Sequence, residues 1–373
     1  MTRATRADIH LDALRHNLVA IRKRAPGSRV LAVIKANAYG HGIESVSRAL
    51  KDADAFAVAC IDEAMRVRSA GVNNAVVLLE GVFTPEEQAQ AAANNFEIVV
   101  HCARQLEWLR AYSGTPLKVW LKLDSGMNRL GFKPEDFRAA WDALQDMKGV
   151  DGTPRQMTHL ARADERDIGF TTRQLQVFDE LTANLPGEKS VANSAGTLAF
   201  PETHRDWVRP GGLLYGVSPL DDSHGIAEGL LPVMTVSTEL IAVKRLQTGE
   251  AIGYGGQWRA PEAMSYGVAA IGYGDGYPRH APSGTTVLVN DRRTALIGRV
   301  SMDMIAVDLR EQPEATAGDP VVLWGRGLPL EELANSSGTI TYELLCGVTQ
   351  RVNFAVHDHG EAGGSRNKNK KAG

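Results

Sequence analysis

From Val30 to about Gly216 the chain keeps returning to one pattern: a short apolar run without polar alternation, then a stretch with helical spacing. The runs are "VLAVIK", "AFAVAC", "AVVLLEG", "FEIVVH", "LKVWLKLD", "QMTHL", "SVANS" and "DWVRPG", eight strand candidates in all. Segments such as "DEAMRVRSAG" and "CARQLEWLRAYSG" lie between them. Strands that are apolar at every position are buried on both faces, and strands alternating with helices pair in parallel. Eight such units in roughly 200 residues predict a (β/α)8 barrel of the TIM type. A doubly wound open sheet is the competing reading, and no Gly-rich fingerprint supports it.

After "SPLDDSHGIAEGL" the texture changes. "VMTVSTELIAVKRL", "SYGVAAIGYG", "TTVLVNDRRTALIGRVSMDMIAVDL" and "DPVVLWG" are rich in β-formers and separated by Gly, Pro and Asn turns. Helical periodicity is nearly absent until "TYELLCGV". The expected fold is therefore α/β, with a barrel over residues 1–227 and a mostly β domain over 228–373.

With 373 residues, 43% of them hydrophobic, the chain can bury two such cores. Forty-one Lys and Arg against forty-four Asp and Glu leave a net charge of -3, so no strong pull toward nucleic acid is expected. The basic "SRNKNKK" near the C-terminus reads as a solvated tail. Cys60, Cys102 and Cys346 fit neither a disulfide framework nor a zinc spacing. The N-terminus lacks an apolar signal core, and no run approaches about 18 apolar residues. A cytoplasmic protein without membrane association is expected.

Barrel chemistry sits where the strands end. The first candidate strand ends at Lys35; the fifth carries Lys122 and Asp124 and leads into "SGMNRLGF" with Arg129. The sixth ends at His159, the seventh at Asn193 and Ser194, the eighth at Arg209. Several cations on one rim suggest an anionic ligand, with phosphate the leading choice. "NSAG" and "RPGG" offer Ser194 and the amides around Gly211 and Gly212, where barrels frequently bind phosphate; the glycines also suit plain turns. Lys35 has two readings. It either snorkels to water, or is desolvated, which lowers its pKa and frees the amine to attack a carbonyl.

At this point the motifs match a known family. "VIKANAYGHG", "LKLDSGMNRLGF", "THLARAD", "NSAGT", "WVRPGGLLYG", "GYGGQW", "IGYGDGYPR", "GRVSMDM" and "YELLC" occur in family order, and the chain resembles alanine racemase over nearly its whole length. The resemblance implies a pyridoxal 5'-phosphate enzyme of fold type III, a homodimer whose sites are shared between subunits. It makes Lys35 the lysine that joins the cofactor aldehyde as a Schiff base. Tyr39, Ser194, Gly211, Gly212 and Tyr342 become the phosphate shell, with Asn193 a further cofactor-binding residue. Arg209 would face the pyridine nitrogen with His159 behind it. Arg129 would touch the substrate carboxylate and orient Tyr254, the second base, supplied by the partner. Tyr273 and Met302, with Asp303 beside them, would come from that same partner and contact substrate. Lys122 matches a position often carbamylated, whose negative charge would hold Arg129.

The chemistry explains the residue types. Racemisation removes a proton from one face of Cα and returns one to the other, so a lysine and a tyrosine on opposite faces suffice. Both have reference pKa values of about 10 and must be tuned toward neutrality. An arginine cannot accept the ring-nitrogen proton, which favours racemisation over transamination. The resemblance places the lysine on the D-enantiomer and the tyrosine on the L-enantiomer. Three positions depart from the family pattern: Gly274 stands where alanine is common, Leu160 where phenylalanine is usual, and "QRVNFAV" lacks the frequent "RVP". A broader-specificity racemase of the same family is the alternative; the bulk of Tyr273 and Met302 favours a small substrate such as alanine. A pyridoxal-phosphate carrier without activity would lack the β domain, and a decarboxylase on this barrel would carry a carboxylate in place of Arg209.

Overall fold

The eight apolar runs close on themselves. In the computed structural model, which describes residues 3–165 and 167–358, a short strand β1 (Arg6–His10) precedes the barrel. The barrel strands are β2 (Arg29–Val33), β3 (Ala55–Val58), β4 (Ala75–Leu78), β5 (Phe96–Val100), β6 (Val119–Lys122), β7 (Arg155–Met157), β8 (Lys189–Ser190) and β9 (Trp207–Val208). Neighbours pair in parallel, and β9 returns to β2 through Arg29↔Trp207 and Val30↔Val208. All eight expected strands are present.

Burial on two faces explains the lack of alternation. Leu31 and Val33 point into the barrel, where they pack with Ala55, Ala57, Val77, Val99, Trp120 and Met157. Their neighbours Val30, Ala32 and Ile34 join the larger core under the helices. At the end of the barrel away from the strand exits, Arg155 lies over Trp120 and Trp207, and Glu97 accepts from Trp120 Nε1 at 2.7 Å and from Arg155 at 2.5 Å.

The second region is an eight-stranded sheet built around the long strand β10 (Met234–Leu246). β10 pairs antiparallel with β1 and with the strands Met264–Ala269 and Pro320–Trp324. β1 also pairs in parallel with Asn353–His357, which is where the departing "RVNFAV" segment docks. The chain's first strand thus belongs to this sheet, and the helix Leu11–Arg24 leads from it back to the barrel. Two helices were not anticipated. Leu11–Arg24 buries Leu11, Leu14, Leu18 and Ile21, and Leu330–Ser337 buries Leu330, Leu333, Ala334 and Ser337. Both are helical stripes at three- and four-residue spacing, which β-rich or charged surroundings mask. The basic C-terminal tail lies outside the described residues. Among the described residues no helix is long and apolar enough to cross a membrane.

Candidate active site

β2 ends in an unusual turn. Ala36, Asn37, Ala38 and Tyr39 all have φ between 51° and 55°, a left-handed helical turn made without glycine. Each such residue costs about 1–2 kcal/mol, so the turn stores roughly 4–8 kcal/mol. It persists because its neighbours hold it. Glu63 accepts from the Ala36 amide at 2.7 Å and from Ala59 at 2.9 Å. Asn37 Oδ1 accepts from Arg66 at 2.7 Å and from the Ile43 amide at 3.2 Å. Buried His41 directs Nδ1 at the carbonyls of Ala38 and Tyr39, and burial lowers its pKa to about 4, so it stays neutral. The turn packs Tyr39 against the inner cluster that contains Val33, and half-buried Lys35 lines the same cavity.

A cradle faces Lys35. Asn193 caps the short helix Ser194–Ala199 by accepting from the Gly196 amide at 2.9 Å. Ser194 Oγ accepts from the Gly211 amide at 2.8 Å and hydrogen-bonds to Tyr342. A side chain at either glycine would force a tyrosine to move. A Cβ on Gly211 would stand 2.5 Å from Tyr39 Oη, and one on Gly212 would stand 2.8 Å from the Tyr342 ring. Desolvation raises the pKa of Tyr39 well above its ordinary value and that of Tyr342 to about 12. Both phenols keep their protons and can donate to an anion.

On the other side stands a group of cations. Buried Arg209 donates to Ser190 Oγ at 2.7 Å, to the Thr158 carbonyl at 2.5 Å and to the Val191 carbonyl at 3.2 Å, with His159 Nδ1 at 3.4 Å. Burial lowers its pKa to about 10, less basic than a free guanidinium yet still protonated at neutral pH. His159 is held well below its usual pKa, by desolvation first and by Arg209 second, so it is neutral. Lys122, 8% exposed, has its pKa lowered to about 8 by desolvation and then by Arg209, Arg129 and Lys35. Lys35, Lys122, Arg129 and Arg209 have no ion pair with any described residue. They line one open cavity of about 900 Å³ with Tyr39, His159, Asn193, Ser194, Gly211 and Tyr342. The four cations share the cavity with the carboxylates of Glu80, Asp164, Asp221 and Glu331, and together with the proton-bearing phenols beside Ser194 they offer donors to an anionic ligand.

Tyr254, Tyr273 and Met302 do not join this cavity within the chain. They sit on the β domain, 66%, 39% and 51% exposed. Tyr254 opens a turn between Ala251–Ile252 and Trp258–Arg259. Tyr273 and Met302 lie on two loops laced together by Tyr273 N–H to Ser301 O (3.0 Å) and Gly274 N–H to Met302 O (2.9 Å). Asp303 accepts from Arg351 at 2.5 Å, and a Cβ on Gly274 would displace the flexible end of that same arginine. Large apolar side chains exposed this way suit a surface covered by another molecule.

Residues 9–219 match the family model "Alanine racemase, N-terminal domain" and residues 233–356 match "Alanine racemase, C-terminal domain". The chain belongs to the alanine racemase family. It is 48% identical over 360 residues to an alanine racemase of Coxiella burnetii, covering 95% of this chain and 99% of that one. It is 49% identical over 346 residues to the biosynthetic alanine racemase of Escherichia coli K12, covering 92% and 96%. The crystal structure of the biosynthetic alanine racemase from Pseudomonas aeruginosa superposes with a TM-score of 0.93 at 46% identity, covering 96% of this chain and all of that one. The family is one of isomerases, and its two-domain order is the one seen here.

The residues on the cavity wall fit a phosphorylated aldehyde. The Ser194–Gly211–Tyr39–Tyr342 cradle supplies donors, Lys35 an amine, and Arg209 a donor that cannot take a ring-nitrogen proton at neutral pH. Other contributors were not apparent from motifs. Glu63, Ser190, Thr158 and Gln174 act through hydrogen bonds to the residues above. Asp164 and Cys346 also line the cavity. Thr158, Asp164 and Cys346 lie within the family motifs, Glu63 and Ser190 within helix and strand runs, and Gln174 in neither.

Proposed function

We propose that this protein interconverts L- and D-alanine, using pyridoxal 5'-phosphate, as a cytoplasmic homodimer. Bound pyridoxal phosphate supplies an aldehyde and a ring that stabilises negative charge at the substrate's Cα. Lys35 attaches it and exchanges one Cα proton; Tyr39, Asn193, Ser194, Gly211, Gly212 and Tyr342 hold its phosphate, and Arg209, backed by neutral His159, donates to its ring nitrogen. Arg129 takes the substrate carboxylate. Lys122, half-deprotonated near pH 8, is suited to carbamylation, which would give Arg129 an anionic partner. Tyr254 of one subunit serves as the second base in the other's site, with Tyr273 and Met302 closing the entrance. The part before residue 227 then supplies most of the cofactor site, and the part after it supplies Tyr342 to its own site and Tyr254, Tyr273 and Met302 to the partner's.

One observation carries the reading. A single chain assembles a complete anion cradle and its lysine, while Tyr254, Tyr273 and Met302 stand exposed and away from it. The test is a visible spectrum of the purified protein before and after L-alanine, followed by a chiral assay. The expected result is a cofactor band that shifts with alanine, and conversion to an equal mixture of enantiomers. A protein with no such band, or alanine that keeps its configuration, overturns it. Serine and lysine in the same assay decide between alanine and a broader substrate range.

A further inference from the structure

Gln174 has no part in the chemistry above, yet it is 1% exposed, inside the helix Gly169–Thr182. Its amide uses three directions at once. Nε2 donates to Ser125 Oγ at 3.2 Å and to the His159 carbonyl at 3.0 Å, and Oε1 accepts from the Ala161 amide at 2.8 Å. The neighbours settle which end is which: turned over, the amide would set oxygen against a carbonyl and nitrogen against an N–H.

These three partners belong to the loops leaving two adjacent strands, β6 and β7. Ser125 begins the loop that carries Arg129 into the cavity, and its hydroxyl meets Thr158 Oγ1 at 2.7 Å. The Thr158 carbonyl in turn accepts from Arg209. Arg129 is exposed and makes no hydrogen bond or ion pair with a described residue, so the backbone of its loop sets the point from which its flexible side chain reaches the cavity. That backbone bends at Gly126 (φ 137°), Asn128 (φ 59°) and Gly131 (φ 128°), conformations with close alternatives. Asp124 braces the loop from within by accepting from the Gly126 and Asn128 amides, and Gln174, with the Ser125–Thr158 contact, ties it to the segment after β7.

We propose that Gln174 is a positioning residue for substrate: it fixes the Arg129 loop against the β7 exit and so sets where the substrate carboxylate lies relative to Arg209. The proposal rests on the reading that Arg129 binds that carboxylate. Only a side chain with two donors and one acceptor in a plane makes all three contacts. Methionine matches the length and makes none; an ionised glutamate loses both donors and faces a carbonyl with a charge.

The test uses holoenzymes of Gln174→Met, Gln174→Glu and Ser125→Ala beside wild type. Four quantities are measured: kcat and KM for L-alanine, the inhibition constant of propionate, which has the carboxylate but no amine, the cofactor dissociation constant, and the melting temperature. Gln174→Met is expected to raise KM and the propionate constant together by about tenfold, because small misplacement of a carboxylate clamp is costly. Cofactor affinity should stay within about threefold, since the cradle lies on other strands. Gln174→Glu should show the same defect at about pH 9 and recover part of it as pH falls, because desolvation at this buried position favours the protonated acid, which regains one donor. Ser125→Ala should raise the same two constants less, and it decides the matter if the Gln174 variants do not fold. KM and propionate constants at wild-type values refute the proposal, as do losses spread evenly over kcat, KM and cofactor binding in step with melting temperature. A wild type that leaves alanine's configuration unchanged overturns the functional reading and this proposal with it. A racemising wild type with unaffected variants overturns the proposal alone.

Discussion

Replacing Gly211 by alanine tests the cradle at its tightest point. The added carbon would lie 2.5 Å from Tyr39 Oη and 3.1 Å from Cζ. Ordinary contacts are about 3.5 Å, so some atoms must move by roughly 1 Å. Tyr39 has little room, since its ring packs on Tyr215 at 4.8 Å and on Tyr342 at 5.7 Å. Residue 211 is held as well, by its amide bond to Ser194. Overpacking of this kind costs about 1–3 kcal/mol. If that cost falls on the cofactor-bound arrangement, affinity drops by about 5- to 150-fold at 1.4 kcal/mol per decade. Titrating stripped enzyme with pyridoxal phosphate and following the visible band measures it directly. A second arm tests the cause: Tyr39→Phe removes the clashing oxygen, so Gly211→Ala should cost less in that background, with a coupling of at least about 0.5 kcal/mol. Affinity within about twofold of wild type, or strictly additive effects, would refute the reasoning.

Three further outcomes follow from the same geometry. With its amine unmodified, Lys122 has a folded pKa of about 8 against an ordinary 10.5, so the unfolded chain binds more protons between those values. The penalty, about 3 kcal/mol for this buried amine, is present in full below pH 8 and fades as pH rises toward 10.5. Lys122→Met should remove that rise in stability between pH 7 and 10, measured by urea midpoints; an unchanged rise assigns it to another group. Arg209→Met leaves Ser190 Oγ and two carbonyls without their donor and should cost roughly 2–5 kcal/mol in the same assay, where a neutral result would contradict the buried network. Glu63→Ala frees the Ala36 amide and lets the left-handed turn relax, lowering turnover about tenfold or more; wild-type turnover would show that the turn is held without it.

The barrel was legible because its strands are apolar at every position, and its cavity because the exits carry Lys35, Lys122, Arg129, His159, Ser194 and Arg209 in strand order. Other features left less trace. β1 is too short and polar at Arg6 and Asp8 to advertise a partner that is more than 220 residues away, at β10. The left-handed turn at "ANAY" contains no glycine, the residue that ordinarily marks such backbone. Gln174 looks like any polar residue on a helix; only folding shows that its amide faces inward to two loops.

The shared site is the central claim, and mixing two inactive variants tests it most directly. Lys35→Ala and Tyr254→Phe should each abolish racemisation as separate dimers. If Tyr254 acts across the interface, a mixed dimer holds one site with both substitutions and one site with neither. Unfolding and refolding the two variants together at equal amounts should then restore about one quarter of wild-type activity, the share of intact sites in a random mixture. A mixture as inactive as its components would contradict the account.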